Sequence, residues 1–332
     1  MKKHKGLLIT LGVTVLTLVI VMAVFFQRES ESAMANQAPD TEEVTAEVSP
    51  NTELDANMAA NAEVVGNTED VTGVPATEVV EETEAELSYV ELYGLEEVDK
   101  PERRNEEQVM EKLAELAEEH ELVKEVYEDA DAYSADMLNH LANNPEMAAY
   151  VLGSLESDGS VTGGFTEAEL EAEYPLLLQF DPRWGYFEYG GKELGISGCG
   201  PTSLSMAILY LTDLERVTPD KIAAYSLEQG YYVKDVGTAW KLLDEYPAIY
   251  GLSVEHPTLK EESMKKALDE GKVLVCSMRQ GVFTAAGHFI VIYGYDETGF
   301  LVNDPKCVAR SNRTWTFDEF GDQLKRIWAY GA

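Results

Sequence analysis

Apolar and polar positions fall into four successive patterns along the chain. From Gly6 to Phe26 there are 21 uncharged, mostly apolar residues, enough for a helix that spans a hydrocarbon core of about 30 Å. Residues 27–99 show neither helical nor strand periodicity. In 100–156, Val109, Leu113, Leu116, Leu122, Val123 and Val126 recur at a helical stride with acidic residues and Lys between them, which predicts an amphipathic helix or helix pair. Asn144-Pro145-Glu146 reads as a further helix start and Gly153 as its stop. This helical segment is expected to pack against the domain that follows.

Residues 174–332 read as an α+β domain, helices first and strands later. Helix starts are signalled at Thr218-Pro219-Asp220 and at Thr258-Leu259-Lys260-Glu261, a capping box whose helix ends at Gly271. KVLVCSM, HFIVIYGY, GFLVND and RIWAYG read as strands. Their long apolar runs predict a sheet covered on at least one face.

Charge separates tether from fold. The chain of 332 residues has a formal net charge of −36, and residues 27–99 hold 20 Asp and Glu against one basic residue, Arg28. With Pro39, Pro50 and Pro75 and no Trp or Phe, that stretch cannot bury enough apolar surface to offset ordering entropy and reads as a disordered, self-repelling linker. The absence of a Lys/Arg cluster excludes nucleic acid as a partner. Lys2, Lys3 and Lys5 precede the apolar run, so the positive-inside rule predicts residues 1–5 in the cytoplasm, 6–26 as a single-pass membrane anchor and the remainder outside the cell. Cleavage after Ala33-Met34-Ala35 is the competing reading and would release a secreted protein.

Three cysteines do not make a disulfide framework. Cys276 lies in an apolar strand and reads as an inert buried thiol; Cys307 falls in a loop with no evident role. Cys199 differs, standing between Gly198 and Gly200 and ahead of Pro201 and the apolar run LSMAILYL. That pattern puts a thiol at the N-terminus of a buried helix, whose dipole favours the reactive thiolate. A buried structural cysteine remains the alternative on this chemistry alone. His120 and His140 lack metal-ligand spacing and read as surface or packing residues, and His256 as a turn residue. His288 opens a strand after the flexible-looking RQGVFTAAG, and Asn303-Asp304-Pro305 ends the next strand. Adjacent antiparallel strands would bring Asp304 beside His288, the arrangement that fixes a histidine tautomer.

PLLLQFDPRWGYFEYGG, SGCGPTSLSMAILYLT, GYYVKDVGTAWKLL, VLVCSM, GHFIVIYGY and VNDP, in that order, resemble the C39-like branch of the papain-type cysteine peptidases. The resemblance covers about 174–331, and NNPEMAAYVL resembles the leader that often precedes such a domain. It implies a papain-like fold in which the helix carrying the nucleophile packs on an antiparallel sheet. It also implies a thiol peptidase with Cys199 as nucleophile, His288 as base, Asp304 or its neighbour Asn303 as the orienting group, and Gln179 as oxyanion-hole donor. No metal or organic cofactor is expected, since HExxH, paired CxxC and glycine-rich phosphate motifs are lacking. Trp184, Trp240 and Phe283 are candidate cleft residues. The substrate would be a peptide or protein, with cell-wall material included. A cell-wall amidase of the NlpC/P60 or CHAP type and a non-catalytic surface binding module are the alternatives.

Overall fold

The structure, a computed structural model, describes residues 87–332 apart from 213 and 235. The expected anchor at 6–26 and all of the expected linker up to residue 86 lie outside the described residues. Among the described residues no helix is long and apolar enough to cross a membrane. The linker's expected end at residue 99 is corrected: Ser88 and Glu91 form a capping box for a helix, α1 (Tyr89–Tyr93), and the Tyr89 ring packs edge-on against Phe180 at 5.9 Å.

The helical stride of the next segment produces α2 (Glu106–Ala117), α3 (Glu121–Glu128) and α4 (Ala135–Asn143). Their apolar faces (Val109, Leu113 and Leu116; Val123 and Val126; Met137, Leu138 and Leu141) close on one another. At Asn144 the expected helix start is a single 3-10 turn, capped by the Asn144 side chain, which leads into α5 (Ala148–Gly153). The cluster also includes Leu178, Phe180, Ile196 and Val308 of the following domain, so the segment and that domain share a core.

After α6 (Glu167–Glu171) and α7 (Leu194–Ser197) comes α8 (Cys199–Leu211), followed by α9 (Pro219–Glu228). Thr218 stands at the N-cap of α9 without a side-chain cap bond. A two-stranded ribbon, β1 (Tyr232–Val233) and β2 (Gly237–Thr238), precedes α10 (Trp240–Glu245), β3 (Ser253–Glu255) and α11 (Glu261–Asp269). The expected capping box before α11 does not form: the N-cap is Lys260, and the Ser263 hydroxyl accepts the Thr258 N–H instead. Then come β4 (Val273–Met278), β5 (His288–Tyr295), β6 (Phe300–Asn303), α12 (Val308–Ser311), β7 (Thr314–Trp315), α13 (Phe317–Phe320) and β8 (Leu324–Gly331).

The six-stranded sheet has the order β3-β8-β4-β5-β6-β7 and is antiparallel throughout. Both of its faces are covered, so β4 is buried along its whole length and β5 along its first five residues. Val273, Val275, Phe289, Val291, Trp328 and Tyr330 join the core around α8. Their alternating neighbours Leu274, Cys276, Ile290, Ile292, Ile327 and Ala329 join a second core with Met264 and Ala267 of α11. The stretch RQGVFTAAG is tied down rather than free. Arg279 N–H donates to the Gln323 carbonyl at 2.8 Å, Val282 N–H to Gln323 Oε1 at 2.8 Å, and Phe283 is buried against Trp315.

One buried side chain joins the helical segment to the loop after β6. The carboxyl of Glu146, only 3% exposed, accepts N–H groups from Leu95 (3.1 Å), Val308 (2.8 Å) and Ala309 (3.0 Å). We predict that Glu146→Ala, which leaves these donors without a partner, destabilises the protein by about 2–4 kcal/mol in urea unfolding. An unchanged midpoint and slope would show that the two parts do not depend on this junction.

Candidate active site

Cys199 begins α8, with Gly198 as its N-cap. Pro201 occupies the third helical position. Its missing N–H costs nothing there, because the first helical bond is Thr202 N–H to Gly198 O at 3.0 Å. Both flanking glycines are steric necessities: a Cβ on Gly198 would lie 2.4 Å from the Leu194 carbonyl oxygen, and one on Gly200 2.7 Å from Thr238 Oγ1. Cys199 is partly exposed, whereas Cys276 and Cys307 are buried, and all three thiols are free. Burial pushes the Cys276 and Cys307 thiols up. Burial would raise Cys199 too, but it is held below the ordinary thiol value by its hydrogen bond to His288 and that residue's charge, aided by the Phe289 backbone and the charge of Lys306.

The β5–β6 pairing, with Val291 opposite Asn303, brings the start of one strand beside the end of the other. His288 Nε2 donates to Asp304 Oδ1 at 2.7 Å, which leaves the other ring nitrogen for the Cys199 thiol. Burial alone would depress His288; Asp304 and Cys199 outweigh it and lift its pKa to about 9. Asp304 is fully buried. Its Oδ1 also accepts the Lys306 N–H at 2.9 Å, and its Oδ2 accepts Arg310 Nε at 2.8 Å. Against the upward push of burial, the charges of His288 and Arg310 hold its carboxyl at about 2. Arg310, on α12, is also buried, and its Nη1 has no partner among the described residues.

Asn303, the alternative orienting residue, points elsewhere: its Nδ2 donates to the Tyr174 carbonyl (3.1 Å) and to Tyr210 Oη (2.7 Å). Gln179 is 1% exposed. Its backbone N–H donates to the Pro305 carbonyl at 2.7 Å, and its Nε2 gives one hydrogen to the Gly195 carbonyl at 2.7 Å, four residues before Cys199. The other hydrogen of Nε2 has no acceptor among the described residues, and Oε1 is buried without a partner.

Two expected cleft residues are corrected. Trp184 is fully buried, its indole N–H donating to the Leu178 carbonyl at 2.7 Å. Phe283 is 1% exposed and packs on Trp315 and Phe320. Neither presents a face to a substrate. Trp240 remains partly exposed and packs edge-on against the buried Trp328 at 5.7 Å.

Lys306, which the sequence did not single out, and His140, expected as a surface or packing residue, stand beside the site. Lys306 follows Asp304 by two positions, and its ammonium donates to Nδ1 of His140 on α4. Burial lowers Lys306 to about 8, while the charge of Cys199 works in the opposite direction.

Two solved structures resemble the chain. One is the peptidase domain of Streptococcus ComA, described as a bifunctional ABC transporter involved in a quorum sensing pathway. It shows 17% identity, covers 48% of this chain and 98% of that one, and has a TM-score of 0.33. The other is from Bacillus anthracis and is described as a C39-like peptidase, with 14% identity, 48% and 94% coverage and a TM-score of 0.34. Among curated proteins no match is found. Residues 171–330, which contain Cys199, His288, Asp304 and Gln179, match the model of the Peptidase_C39 like family.

Proposed function

We propose that this protein is a cysteine-type peptidase that hydrolyses peptide bonds with Cys199 as nucleophile, His288 as general acid and base, and Asp304 as the group that orients His288. The observation that carries the reading is the 2.7 Å bond between His288 Nε2 and a fully buried Asp304, with Cys199 hydrogen-bonded to the same ring at the start of α8. In this reading the resting site is a thiolate–imidazolium pair.

The thiolate attacks the peptide carbonyl carbon, and the carbonyl π pair moves onto oxygen. The Cys199 backbone N–H and the free hydrogen of Gln179 Nε2 receive that oxyanion. As the tetrahedral intermediate collapses, the C–N bond breaks and His288 gives its proton to the leaving nitrogen. A thioester remains. Water then attacks it, neutral His288 takes the water proton, and the acid product leaves with the thiolate restored. The buried Asp304 and Arg310 keep the ring in one tautomer through both halves of the cycle.

We further propose that residues 6–26 anchor the chain in a membrane with the peptidase outside the cell, so that its substrates are peptides or proteins at the cell surface. The uncharged run and the preceding Lys2, Lys3 and Lys5 support this.

Three outcomes are expected. Iodoacetamide should alkylate Cys199 at about pH 6, where an ordinary thiol is almost wholly protonated, while Cys276 and Cys307 stay unlabelled until unfolding. His288→Ala should abolish that low-pH labelling, and Gln179→Ala should keep it but lower turnover by about 10²–10³-fold; equal labelling of wild type and His288→Ala would refute the pair. Peptidase activity should be bell-shaped in pH, rising as the thiolate forms and falling as His288 loses its proton near pH 9, so a profile still rising above that pH would contradict the acid role of His288. The full chain should sediment with membranes, and protease added to intact cells should release the catalytic part; a soluble exported chain beginning at Asn36 would refute the anchor.

A further inference from the structure

A line of polar residues runs from the helical segment to the site and has no part in the reaction as derived above. Asp136, His140 and Asn144 stand four residues apart and so share one side of α4 and its C-cap. All three lead toward Lys306. The Asn144 side-chain amide donates to the Lys306 carbonyl, and His140 Nδ1 accepts from the Lys306 ammonium. Asp136 Oδ1 lies 3.8 Å from His140 Nε2, and its Oδ2 accepts Lys192 at 2.7 Å. The Lys306 N–H is spent on Asp304 Oδ1 at 2.9 Å. Side chain, carbonyl and N–H of one lysine are therefore all engaged, two of them by the helical segment and one by the residue that orients His288.

We propose that Lys306, held by His140 and Asn144, is a positioning residue for the peptidase reaction: its main chain keeps Asp304 on His288, and its ammonium supplies positive charge near the Cys199 thiolate. The inference rests on the cysteine-peptidase reading above and makes the helical segment part of the working site.

The neighbouring charges fix the sign. On the helical side are Asp136 and His140, with Lys192 paired to Asp136. On the catalytic side are Cys199, Asp304 and Arg310, and the charge of His288 also acts on His140. Burial, and then the Lys306 charge, hold His140 well below its ordinary value, so the ring is neutral and accepts the lysine's proton. Lys306 itself stays charged up to about pH 8. Its positive charge favours thiolate over thiol below that pH and ceases to do so above it.

The test is the pH dependence of Cys199 alkylation in the full chain, read by mass spectrometry. Lys306→Met should label about threefold to tenfold more slowly than wild type near pH 6, the size of one partly screened charge, and the difference should close above about pH 8. Lys306→Arg should restore the low-pH rate, and His140→Ala should lose part of it, whereas a purely structural role would slow labelling equally at every pH. Superimposable profiles for wild type and Lys306→Met, or an arginine variant as slow as the methionine one, would overturn the inference while leaving the peptidase reading intact. Wild type that labels only at alkaline pH would overturn both.

Discussion

The site depends on one buried carboxylate. Asp304 has no exposed surface and accepts from His288, the Lys306 N–H and Arg310 at 2.7–2.9 Å. A charge taken out of water costs several kcal/mol unless its lone pairs are filled with good geometry, and here each oxygen receives a charged donor. The arrangement serves function more than stability, because a well-packed apolar substitute would often be no less stable. What it provides is a fixed imidazole tautomer and a raised His288 pKa, and the lowered Cys199 thiol depends on both.

The loop bearing Asp304 joins Gln179 and the helical segment to the candidate site. Pro305 receives the backbone N–H of Gln179, Lys306 meets His140 and Asn144, and Glu146 takes the N–H groups of Val308 and Ala309 at the start of α12. Ser311 closes the loop on itself, accepting the Asp304 N–H at 2.9 Å and donating to the Cys307 carbonyl at 2.8 Å. The helical segment thus abuts the catalytic loop through buried polar bonds as well as through the shared apolar core.

Features set by local pattern were legible in the sequence. β4, β5, β6 and β8 follow from their apolar runs, α2 and α3 from a helical stride, and the special place of Cys199 from the glycines that flank it. Placing His288 beside Asp304 needed only adjacent antiparallel strands. The choice between Asp304 and Asn303 was not legible, because it turns on which side chain Tyr210 and the Tyr174 carbonyl capture. Trp184 and Phe283 were misread for a related reason: an aromatic residue in a loop looks the same in sequence whether it faces a cleft or a core. The spacing of Asp136, His140 and Asn144 was visible, but a polar stripe on a helix ordinarily faces water. That this one meets Lys306 follows from packing between segments distant in the sequence.

Whether His288 is charged at rest because Cys199 and Asp304 both face it is read most directly by an NMR titration of the His288 ring with Cys199 free and with Cys199 blocked as a methyl disulfide. A midpoint near pH 9 is expected with the free thiol and a lower one once the sulfur can no longer carry charge. A midpoint near the ordinary histidine value of about 6.5, unmoved by blocking the thiol, would contradict the charged resting state.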